Sequence, residues 1–60
     1  MIEIPRFQVV DIDMKGTTSV GIKDHQDDSI VVLVSMFNEK ESNTSLAEDI
    51  IICIENKLEQ

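Results

Sequence analysis

Sixty residues carry twelve acids against five bases, a net charge of −7, and one cysteine, Cys53. That length is one domain at most and buries only about 60% of the unfolded chain's surface. A lone cysteine excludes an internal disulfide, Cys53 and His25 are too few soft or imidazole ligands for a structural zinc, and the acidity argues against DNA, RNA or anionic lipid as a direct partner.

The N-terminus, Met1-Ile2-Glu3-Ile4-Pro5-Arg6, lacks the apolar core of a signal peptide, and the apolar run Ile30 to Val34 is far too short to cross a membrane. An unpaired cysteine suits a reducing compartment. The expectation is a cytoplasmic protein that meets no membrane.

Phe7 to Met14 alternates with the period of a strand. Val10, Ile12 and Met14 fall on one face; Phe7, Val9, Asp11 and Asp13 fall on the other. Pro5 near its start is tolerated there, and Gly16 after Lys15 supplies the freedom a hairpin turn needs. Thr17 to Lys23 is a second β-branched, alternating run, with Val20 and Ile22 on one side and Ser19, Gly21 and Lys23 on the other. The polar stretch Asp24 to Ser29 reads as a turn. Ile30 to Phe37 reads as a third strand, apolar on both sides: Ile30, Val32, Val34 and Met36 on one, Val31, Leu33 and Phe37 on the other.

Asn38 to Thr44 reads as a polar linker. Ser45-Leu46-Ala47-Glu48 has the S-x-x-E form of a capping box, with Asp49 favouring the helix dipole, so a helix is expected from Ser45 to about Leu58. Its apolar stripe comprises Leu46, Ala47, Ile50, Ile51, Cys53, Ile54 and Leu58, with Lys57 inside it near the C-terminus. Ile50 to Ile54 is β-branched enough to suit a short strand, but the capping box and the length favour helix. The whole reads as one α+β domain over residues 1–60: a three-stranded antiparallel sheet followed by one C-terminal helix packed on one face, βββα.

No residue pattern demands chemistry. Asp11 and Asp13 share a strand face and can approach a hard cation, but two carboxylates are too few for a site. Asp24, His25, Asp27 and Asp28 lack the spacing of a calcium loop. Cys53 among isoleucines is expected to be buried and inert. The run Val10 to Ile22, with Asp13 before a Gly16-Thr17-Thr18 turn, faintly resembles the first hairpin of the actin/Hsp70 and ribonuclease-H-like superfamily, where the aspartate binds a divalent metal and the turn contacts phosphate. An extra residue between Asp13 and Gly16 breaks that pattern, and the match covers too little of the chain to assign a site. The expectations are therefore no enzyme, no catalytic residue, no metal and no cofactor.

Two features point to protein contacts. One helix covers only one face of a sheet apolar on both, so Phe7, Val9, Val31, Leu33 and Phe37 are expected to self-associate, giving a homodimer joined through the third strand by a sheet face or the strand edge. Ile52 falls on the polar side of the helix among Glu48, Glu55 and Glu59, a surface suited to a protein partner with basic, partly apolar character. The expected function is a small acidic protein-binding module that occupies a partner's surface. Inhibitors, antitoxins and phage-type counter-defence proteins work in this way, some by imitating nucleic acid. The alternative is a structural or accessory subunit of a larger complex.

Overall fold

The β-branched runs of the N-terminal half form an antiparallel sheet and the C-terminal segment a helix across one side of it. The computed structural model describes residues 4–12 and 16–60. Strands β1 (Phe7–Asp11), β2 (Val20–Asp24) and β3 (Ser29–Val34) lie in the order β1-β2-β3, followed by α1 (Lys40–Leu58). This is the expected βββα architecture, with shorter strands. The part of the first expected strand from Asp13 to Met14 lies outside the described residues.

The register decides which residues meet the helix. Phe7 pairs with Asp24, Val9 with Ile22 and Asp11 with Val20, while Val20 pairs with Val34 and Ile22 with Val32. Side chains alternate across a strand, so Phe7, Val9, Val20, Ile22, Val32 and Val34 share one face. That face meets Ala47 of α1 to form the core, with Leu46, Ile50, Ile51 and Ile54 packed around it. Phe7 and Val9 therefore belong to the core and not to the free apolar face on which the alternation had placed them. Each strand reveals its own alternation, but only the pairing shows which side of one matches which side of the next.

A bulge adjusts β3. Ile22 pairs with Val32 but Lys23 pairs with Ile30, leaving Val31 without a partner in the ladder. The extra residue puts Ile30 on the face away from the helix, beside Gly21, instead of in line with Val32 and Val34. A Cβ at Gly21 would stand 2.9 Å from Cδ1 of Ile12 and 3.1 Å from Cγ2 of Ile30, so the missing side chain is what lets these two isoleucines close over β2.

The β2–β3 turn is built from its acids. Asp24 is buried, accepts from the backbone N–H of Gln26 at 2.9 Å, and receives Nε and Nη2 of Arg6 at 3.2 and 3.3 Å. The same guanidinium lies 5.0 Å from the Phe7 ring centroid and so closes one end of the core. Asp28 takes a φ of +58°, a region that Asp and Asn tolerate better than most residues.

The helix begins at Lys40, not at Ser45. Glu39 is the N-cap, without a side-chain capping bond, and the N–H of Asn43 reaches the carbonyl of Glu39 at 3.2 Å. Ser45 and Glu48 lie inside the helix, so the capping-box pattern does not mark its start. A buried polar clip fixes that end instead. Oδ1 of Asn43 accepts from the N–H of Phe37 at 2.9 Å, and its Nδ2 donates to the carbonyls of Thr18 at 2.8 Å and Phe37 at 3.0 Å. Asn43 has no exposed surface, and three bonds satisfy it. Glu41 in the first turn and Lys57 in the last both favour the helix dipole.

Candidate interaction surfaces

Among the described residues, three surfaces remain after the core is assembled. The first is the outer sector of α1. Glu48, Ile52, Glu55 and Glu59 are all exposed, and Ile52 has 56% of its surface accessible. At 100° per residue these four lie within one narrow sector, on the far side of the helix from Asn43 and Ala47. The structure thus brings the expected partner-binding residues together, with Glu59 just past the last helical turn.

The second is the sheet face opposite α1. Leu33 is 62% exposed and Val31 47%; Phe37, 45% exposed, lies past the end of β3 in the segment leading into α1, where Asn43 holds its backbone. Of the five residues expected to self-associate, these three are available and Phe7 and Val9 are not. Ile30, freed from the core face by the bulge, joins them as an exposed residue that simple alternation had assigned elsewhere. β3 is also an outer strand of the sheet and carries no charged residue from Ser29 to Val34.

The third surface has no counterpart among the expected sites. An open groove of about 600 Å³ runs along the C-terminal half of α1, floored by Leu46, Ile50, Cys53, Ile54 and Leu58, with Asp49 and Lys57 as its charged members. Cys53 is exposed here, which corrects the expectation of a buried thiol. The reason is angle. Asn43, Ala47 and Ile54 lie within about 40° of one another on the helix and face the sheet, whereas Cys53 is turned about 100° from Ile54 and faces sideways into the groove.

Three of the acids that could have suggested chemistry, Asp11, Asp24 and Asp28, are engaged in the fold. Asp11 pairs with Nζ of Lys40 at 2.9 Å, joining the end of β1 to the start of α1. Asp13, its expected companion, lies outside the described residues. The Arg6 hydrogen bonds hold the Asp24 carboxyl below the usual aspartate range, against the opposing effect of burial, with further help from the Gln26 N–H. Asp28 is likewise lowered by its 2.7 Å contact with Lys23. His25 Nε2 lies 2.8 Å from Oε1 of Gln8. Among the described residues no group of three or more His, Cys, Asp or Glu side chains is arranged to hold a metal ion, and no described helix is long and apolar enough to cross a membrane.

No protein-family model, curated protein or solved structure matches the chain. Its surfaces therefore carry the functional argument alone.

Proposed function

We propose that this protein works by binding another protein rather than by catalysis, and that Glu48, Ile52, Glu55 and Glu59 form the contact. The observation that carries the reading is Ile52, more than half exposed at the edge of a sector of three exposed glutamates. Glutamates alone would account for solubility. A β-branched apolar residue among them lowers helix propensity slightly and adds nothing to solubility. An apolar anchor inside a charged rim is the anatomy of an interface. The acids raise the association rate toward a basic surface, and the anchor slows dissociation. Such a module acts by covering its partner, as an inhibitor or antitoxin does, or by presenting nucleic-acid-like charge to a basic groove.

A second reading, an accessory subunit seated permanently in a larger assembly, is favoured by the uncharged outer strand β3 with Val31 and Leu33 exposed along it and Phe37 exposed beyond its end. That surface suits a sheet edge or face of another chain, a second copy included. Two variants separate the readings. Ile52→Lys abolishes partner binding under the first, with folding intact, and the wild-type complex weakens as salt rises. Leu33→Lys abolishes it under the second, and that complex is insensitive to salt.

A further inference from the structure

We propose that the groove on α1 is filled by the same helix of a second copy, running antiparallel, with the two-fold axis passing beside Cys53. The proposal is independent of the Ile52 sector, which points away from the groove and stays free in the pair.

Charge and symmetry select this occupant. A chain of net charge −7 repels its own copy almost everywhere, so a self-contact must be neutral or self-complementary. The groove is both. Its floor is apolar, and its two charged members, Asp49 and Lys57, are opposite in sign. They also sit symmetrically: Asp49 is four residues before Cys53 and Lys57 four after. In an antiparallel pair centred on Cys53, Asp49 therefore lies level with Lys57 of the second copy, and Lys57 with Asp49 of the second copy, each about 6 Å along the axis from the centre. Neither side chain is engaged in an ion pair among the described residues. A parallel pair would set Asp49 against Asp49 and Lys57 against Lys57. The glutamates at 48, 55 and 59 fall outside the groove, so the contact carries no net charge. The helical overlap in such a pair, from Glu48 to Leu58, is about 16 Å long at 1.5 Å per residue, three turns of helix packing.

The axis position can be read directly through the thiol. Packed helices lie about 8–10 Å apart, which brings facing Cα atoms, each about 2.3 Å from its own axis, to roughly 5 Å at the wider end, within disulfide reach. Treatment with a diazene oxidant tests this. The two Cys53 thiols lose two protons and two electrons to form one disulfide, and the oxidant becomes the hydrazine. Expected is a covalent dimer, twice 6.8 kDa, on a non-reducing gel. It should form far faster than with Cys53→Ser combined with Glu48→Cys, which carries its thiol on the opposite sector.

Charge reversal supplies the second arm, read by sedimentation equilibrium with circular dichroism as the folding check. Asp49→Lys and Lys57→Asp should each weaken the dimer about tenfold or more, as two exposed ion pairs turn repulsive. Asp49→Lys does so while reducing the overall negative charge, so a general charge effect would act in the opposite direction. An equimolar mixture of the two variants restores both pairs and should form a mixed dimer of wild-type strength. A monomeric wild-type protein, single variants that dimerise normally, a mixture that stays monomeric, or a dimer lost on Leu33→Lys instead would each overturn the proposal.

Discussion

Replacing Asn43 with alanine tests the account of how α1 is fixed to the sheet. The change removes three hydrogen bonds of 2.8–3.0 Å from a site with no exposed surface. The Phe37 N–H and the Thr18 carbonyl lose this partner, whereas the Phe37 carbonyl still receives the Thr18 hydroxyl at 3.3 Å. A net hydrogen bond contributes about 1 kcal/mol, and a buried group left unsatisfied costs about 1–3 kcal/mol. With some readmission of water, Asn43→Ala should therefore cost about 2–4 kcal/mol. A domain of this size has a total stability of about 3–9 kcal/mol at 0.05–0.15 kcal/mol per residue. The loss is thus a large share of the whole, and Tm should fall by about 10–25 °C. Urea denaturation followed by far-ultraviolet circular dichroism measures it. Asn43→Asp should be at least as damaging at neutral pH, because it turns a donor into a second acceptor facing two carbonyls. A cost below about 0.5 kcal/mol for Asn43→Ala would refute the clip.

Ser45→Ala should leave stability unchanged or raise it by up to about 0.5 kcal/mol, since alanine is the better residue inside a helix. A loss near 1 kcal/mol, typical of a removed N-cap, would mean that the helix starts at Ser45 after all. Asp24 has a lower pKa folded than unfolded, so its pairing with Arg6 stabilises the protein above about pH 4, near the unfolded aspartate value. That contribution is lost as pH falls through the folded value. The gap in urea midpoint between wild type and Asp24→Asn should accordingly be full at pH 7 and close as the solution is acidified; a gap independent of pH would contradict it. Leu33→Lys should melt within a degree or two of wild type, because that side chain is mostly in water already. A large drop would place Leu33 inside a permanent interface.

The strands, the helix and their order were legible because alternation and helical periodicity are local properties of the chain. What escaped depended on how the elements meet. Phe7 and Val9 joined the core because Val9 pairs with Ile22 and Phe7 with Asp24, and nothing within Phe7–Asp11 encodes that register. Ile30 left the core face because one unpaired residue, Val31, shifted the alternation. Residues 38–44 read as linker because they are polar. Yet Asn43 is polar for a buried purpose, and Glu39 to Ser42 are the N-cap and first turn of a helix that starts upstream of its apolar stripe. Cys53 falls within the apolar stripe, but the stripe is wider than the part of it that meets the sheet, and Cys53 lies at the margin. The sector of Glu48, Ile52, Glu55 and Glu59 was legible from the helical wheel, and moving the start of the helix to Lys40 leaves those angles unchanged.

The most direct test of the central claim is a quantitative comparison of three immobilised baits, wild type, Ile52→Lys and Leu33→Lys, in a lysate of the cells that make the protein, with retained proteins identified by mass spectrometry. The account expects one protein with a basic surface to be retained by wild type and by Leu33→Lys, released by raised salt, and lost with Ile52→Lys while that variant keeps its wild-type melting temperature. Retention of the same protein by Ile52→Lys at wild-type strength would contradict the account, and its loss with Leu33→Lys alone would transfer the contact to β3.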